Sequence, residues 1–124
     1  MTSVSGILLR PYRFVMLKLI GGNGAYQAGL RYYKRGDYKT ALEAFRDSEG
    51  MFSRTSGANV NLWNVLSLSA WCYVKLGNPD KALPLIERAI NEYASSSDDD
   101  PNFLKLRQQL DITRREVDRA DRQS

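Results

Sequence analysis

Apolar residues recur at three- and four-residue intervals through most of this chain, the spacing of one face of a helix. Ala25, Ala28, Gly29 and Tyr32 fall on one such face and predict a helix over 25–35. Gly36 is placed to end it, because a helix C-terminus often needs the left-handed conformation that glycine adopts without strain. Asp37 is then placed to cap a second helix, running to about Phe52 with Ala41, Leu42, Phe45 and Ser48 inward. A third helix starts at Asn61 or a neighbour and turns Leu66, Ser69, Ala70 and Tyr73 inward before Gly77 stops it. Asn78 is the expected cap of a fourth, with Pro79 at the first helical position, where the missing N–H is harmless. Ala82, Leu83, Ile86, Ala89 and Ile90 form its inner face, and Pro84 is expected to kink it or loosen its first turns. Asp100-Pro101 opens a last amphipathic helix with Phe103, Leu106, Leu110, Val117 and Ala120 on a stripe interrupted by Thr113.

The pattern is a repeat. Tyr32-Tyr33-Lys34-Arg35-Gly36-Asp37-Tyr38-Lys39-Thr40-Ala41-Leu42 aligns with Tyr73-Val74-Lys75-Leu76-Gly77-Asn78-Pro79-Asp80-Lys81-Ala82-Leu83 at an offset of 41 residues. The register extends to Gly29 with Ala70, Phe45 with Ile86, Ser48 with Ala89 and Phe52 with Tyr93. A fixed period in this range signifies stacked supersecondary units. The chain therefore divides into an apolar, basic N-terminal segment (1–23), two helical hairpins (24–94), and an acidic loop with a capping helix (95–124). The turn-rich stretch Ser53 to Ala58 joins the hairpins.

The order small residue, aromatic, glycine, alanine, aromatic or aliphatic occurs twice, as Gly29, Tyr32, Gly36, Ala41, Phe45 and as Ala70, Tyr73, Gly77, Ala82, Ile86. On these residues the chain resembles the tetratricopeptide-repeat family. The resemblance implies an all-α fold of tandem antiparallel hairpins, an α-solenoid, with residues 101–121 as a cap. The spacing exceeds the usual repeat of about 34 residues. Together with Lys81-Ala82-Leu83-Pro84-Leu85 and the loop at Ser53 to Ala58, it is similar to the long repeats of kinesin light chains.

In that family the first helix of each hairpin lines a concave groove for peptides or helices of partner proteins. The residues off the hairpin-facing stripe are Tyr26, Leu30 and Tyr33 in the first unit and Asn64, Ser67, Trp71 and Val74 in the second. They predict an apolar, aromatic groove with few charges, suited to an amphipathic helix or an extended apolar peptide. Family members that clamp the C-terminal carboxylates of heat-shock chaperones carry lysines, arginines and asparagines on these stripes. Here the matching places hold Tyr26, Leu30 and Leu68, which argues against that role. The alternative for Trp71 and Tyr33 is packing against each other or against another helix of the chain.

Composition narrows the chemistry. There is no histidine and one cysteine, Cys72. That excludes an intrachain disulfide, the usual zinc sites and every histidine-dependent triad. Cys72 lies on an apolar helix, as a small buried hydrophobe would. No nucleophile, base and cofactor site comes together, so neither an enzyme nor a cofactor is expected. Gly21-Gly22-Asn23-Gly24 precedes a helix but lacks the Lys-Ser/Thr end of a phosphate loop, and reads as a linker. Asp98-Asp99-Asp100 reads as a solvated cap rather than a metal site.

The net charge of +4 is unevenly spread. Residues 1–36 carry Arg10, Arg13, Lys18, Arg31, Lys34 and Arg35 with no acid, and the remainder is slightly acidic. No nucleic-acid motif accompanies the basic third, so nucleic acid is not an expected partner. Residues 7–20 are strongly apolar yet too short to span a bilayer, which takes about 20 residues. Four roles stay open for them: a cap or groove plug, a membrane-surface helix, an organelle presequence, and a self-association or partner site. The expected function is a small adaptor or chaperone that binds another protein, in the cytoplasm. The alternative is a structural subunit of a larger or membrane-associated assembly, anchored by the N-terminal segment in an organelle or at a membrane.

Overall fold

A computed structural model describes residues 22–52, 60–93 and 99–123. They form α1 (Gly22–Lys34), α2 (Tyr38–Phe52), α3 (Val60–Lys75), α4 (Pro79–Glu92) and α5 (Pro101–Gln123), with no strand among the described residues. The expectations for residues 7–20 and for the Ser53 to Ala58 loop lie outside the described residues, as does Asp98.

The two hairpin turns share the pair of bonds that closes them. Gly36 has φ 81° and Gly77 φ 83°, in the left-handed region. At the first turn the Gly36 N–H donates to the Tyr33 carbonyl at 3.0 Å and the Asp37 N–H to the Tyr32 carbonyl at 2.9 Å. At the second, the Gly77 N–H reaches the Val74 carbonyl at 3.1 Å and the Asn78 N–H the Tyr73 carbonyl at 2.8 Å. Each is a Schellman ending, which satisfies carbonyls that the last helical turn leaves open. The turns fold α2 back on α1 and α4 back on α3; α2 joins the hairpins through α3, and α5 rests on α4.

The caps differ. Asp37 Oδ1 accepts the Thr40 N–H at 3.3 Å, as expected of a capping side chain. Asn78 makes no side-chain cap, which corrects the sequence expectation. Its ψ of 61° departs from the extended backbone that brings a cap side chain over the first turn, and its carbonyl takes the Lys81 N–H at 3.1 Å instead. Pro79 occupies the first turn and is buried, and α4 continues through the exposed Pro84 to Glu92.

Small residues sit where the helices cross. Ala25, Ala41, Ala44, Ala70, Ala82 and Ala89 are fully buried, and Phe45 and Ile86 fill equivalent places in the two hairpins. Phe45 and Ile86 each contribute about 1.5–3 kcal/mol by leaving water. Tyr32 and Tyr73 are half-buried at the hairpin margins; the Arg35 guanidinium carbon lies 5.8 Å from the Tyr32 ring centre and that of Arg46 5.7 Å from Tyr73.

On α5 the buried face differs from the apolar stripe. Leu106, Gln109 and Thr113 are buried, Phe103, Leu110 and Val117 are half-buried, and Ala120 is exposed. Thr113 is the centre of the face rather than a gap in it. Its hydroxyl donates to the Gln109 carbonyl at 2.7 Å, which removes the cost of burying it. Ala120 is left in solvent because α5, at 23 residues, outruns the 14-residue α4 on which it rests.

Candidate partner-binding cleft

A cleft of about 420 Å³ opens between α3 and α5. From α3 it takes Trp63, Asn64, Ser67, Leu68 and Trp71; from α5 it takes Asn102, Lys105, Leu106, Gln108, Gln109 and Ile112. Spacings of three and four residues put the α3 set on one helical face.

Two polar connections hold the helices around it. The Asn64 side-chain amide donates to the Tyr26 hydroxyl at 2.6 Å, tying α3 to α1. The Ser67 hydroxyl donates to Gln109 Oε1 at 2.5 Å, and Gln109 Nε2 returns a bond to the Ser67 carbonyl at 2.9 Å. Gln109 is 3% exposed, so this reciprocal pair satisfies an amide that would otherwise be costly to bury. Aromatic packing fixes the end of the cleft near the α5 N-terminus. Tyr93 meets Trp63 edge-on at 4.9 Å and stacks on Phe103 at 6.3 Å, while its hydroxyl donates to Asp100 Oδ2 at 2.7 Å. The other Asp100 oxygen accepts the N–H groups of Asn102 and Phe103 at 2.9 and 3.4 Å, so one carboxylate caps α5 and holds Tyr93. The Tyr93 bond is the main cause that lowers the Asp100 pKa, and the same bond raises that of Tyr93. Burial raises the pKa of Tyr26, with the Asn64 bond working against it.

Of the seven residues expected to line a groove, the structure brings Asn64, Ser67 and Trp71 together in this cleft, and Tyr26 joins through Asn64. Leu30 and Tyr33 are half-buried against the core, and Tyr33 meets Tyr38 edge-on at 5.4 Å rather than Trp71. Val74 packs with Ala70, Ala82, Ile86 and Leu110. The second wall, from α5, was not foreseen, and it makes the cleft richer in amides than the apolar groove expected. A signal for it existed: Ile112 lies off the apolar stripe of α5 and remains 39% exposed.

The second hairpin, which carries one wall of this cleft, has a recognised sequence pattern. Residues 65–96 match the tetratricopeptide repeat family model. That match supports a tetratricopeptide-repeat family, and it spans most of α3, the Gly77 turn and α4. No curated protein and no solved structure matches the chain. In a tetratricopeptide array each hairpin buries its apolar faces against its neighbours and the stack builds an extended binding surface. The repeat is a non-catalytic unit, and it suggests a protein–protein interaction module here. Cys72 shares a buried cluster with Leu42 and Phe45 of the first hairpin and is fully buried, and burial pushes its thiol pKa up to about 12. It is an unreactive apolar filler. No helix among the described residues is long and apolar enough to cross a membrane.

Proposed function

We propose that this chain is an adaptor that binds another protein by taking an amphipathic helix or apolar peptide into the cleft between α3 and α5. The observation that carries this is the pairing of Trp71 and Leu68 on α3 with Ile112 on α5 across about 420 Å³ of open space. Clefts of this size hold one or two anchoring side chains, and aromatic walls are where binding energy concentrates. The Ser67–Gln109 and Tyr26–Asn64 bonds preorganise the walls, which reduces the ordering cost of association. Asn64, Ser67 and Trp71 are the contact residues of this reading, joined by Trp63, Leu68 and Ile112; Leu30, Tyr33 and Val74 serve the packing beneath.

The test is to identify the partner by in-cell crosslinking and then to measure its affinity for the wild type, Trp71→Ala and Ile112→Ala. Loss in both variants, with folding unchanged, supports the cleft. Equal affinity in all three overturns it.

A further inference from the structure

We propose that a second cleft, between α2, α3 and α4, is an oxyanion site that takes a carboxylate, such as an acidic side chain of a partner protein. It has a volume of about 230 Å³, and its polar lining residues are Arg46, Glu49, Ser69, Tyr73 and Lys81. Ser69 is the most buried residue that lines it, 2% exposed, and its hydroxyl has no hydrogen-bond partner. A buried hydroxyl without a partner costs on the order of 1–3 kcal/mol. Its counterpart 41 residues earlier is Ala28, which packs at the same depth without a polar group. The second repeat thus carries a hydroxyl where the repeat architecture does not require one.

The remaining groups are almost all donors. The Arg46 guanidinium donates to the Tyr73 hydroxyl, which leaves the Tyr73 proton available to an acceptor and most of the five arginine donors unused on it. Neither Arg46 nor Lys81 has an ion-pair partner among the described residues. The carboxylate of Glu49 is engaged by Arg88 at 2.5 Å. Two cations and two hydroxyls therefore line a space that has no unengaged anionic acceptor among its lining residues. A carboxylate supplies it, through charge-assisted bonds from Arg46 and Lys81 and a neutral bond from Ser69. Glu49, one of the lining residues, disfavours a doubly charged phosphate relative to a singly charged carboxylate. Leu42, Pro84 and Leu85 complete the walls and strengthen those bonds by limiting water.

This site is separate from the cleft of the proposed function. At about 3.6 residues per turn, Ser69 and Tyr73 fall on the side of α3 opposite Ser67 and Trp71.

The experiment is a titration of the full chain with sodium acetate, followed by backbone amide shifts, against sodium chloride at matched ionic strength and against inorganic phosphate. Saturable shifts centred on Ser69 and Tyr73 are expected with acetate. Ser69→Ala and Lys81→Gln are each expected to weaken the response about tenfold, while Lys105→Gln, in the other cleft, leaves it unchanged. Lys81 is exposed, so its variant keeps the test open if Ser69→Ala perturbs folding. A response that does not saturate, or that both variants retain, overturns the site. Tighter binding of phosphate than acetate overturns the carboxylate assignment.

Discussion

A β-carbon placed on Gly29 would lie 2.5 Å from Cε1 of Phe45 and 2.6 Å from its Cδ1. The ring is fully buried, so it has no free space to retreat into. The first hairpin therefore closes with an aromatic ring seated on bare backbone, and the Gly29–Phe45 pair sets the separation of α1 and α2.

Gly29→Ala is expected to destabilise the protein. The overlap costs about 1–3 kcal/mol and the gain in helix propensity offsets up to about 1 kcal/mol of it. Adding Phe45→Leu relieves the overlap, so chemical denaturation is expected to show the double variant more stable than the sum of the single changes. Strictly additive losses would contradict the contact.

Gly36 and Gly77 are constrained by backbone alone, since nothing lies within 4 Å of a β-carbon at either. Alanine at either position is expected to cost on the order of 1 kcal/mol, and asparagine less, because its side chain tolerates the left-handed region. Thermal melts of the four variants check the ranking.

Gln109 joins α5 to α3 through two bonds to Ser67. Gln109→Ala removes both, at an expected cost of about 1–3 kcal/mol. Hydrogen exchange is expected to accelerate in α5 before it does in α1 and α2. Uniform acceleration through the chain would show that the cap is not a separable element.

Asp100 and Cys72 are two of the groups that give the stability a pH dependence. Asp100 has a lowered pKa in the folded state, so its contribution is present above the ordinary carboxylate pKa and is lost as pH falls through the folded value. Asp100→Asn is expected to flatten the acid limb. Cys72 is the opposite case: its pKa is raised from 9.0 to about 12, so its contribution is full below pH 9 and is lost as pH rises toward 12. The expected slope there is about 1.4 kcal/mol per pH unit. Cys72→Ala is expected to reduce that slope, and the native thiol should resist alkylation at neutral pH.

For the proposed cleft, Trp71→Ala is expected to weaken a cognate partner by about thirtyfold, equivalent to about 2 kcal/mol. Arg115→Ala, on the exposed side of α5, is expected to be silent. Titration calorimetry with the identified partner distinguishes them.

The helices, their turns and the hairpin pairing were legible in the order of residues, because each depends on neighbours within a few positions. Gly36 and Gly77 mark left-handed backbone through local sterics, Asp37 and Asp100 cap through bonds three residues long, and the spacing of Ala41, Leu42 and Phe45 is a property of one helix. Tertiary structure decided which polar groups are buried and which faces form a cleft. Gln109 and Thr113 carry no apolar signal, so periodicity places them in solvent. They are buried because Ser67, 42 residues from Gln109, and the Gln109 carbonyl satisfy them. Leu30, Tyr33 and Val74 follow the same helical spacing as Trp71 yet serve the packing. A helix has a continuous surface, and its neighbours divide it: Tyr38 of α2 meets Tyr33, Ile86 of α4 and Leu110 of α5 cover Val74, and Trp71 is left to the cleft between α3 and α5. Those contacts depend on the side chains of several helices together, which no single stretch of sequence contains.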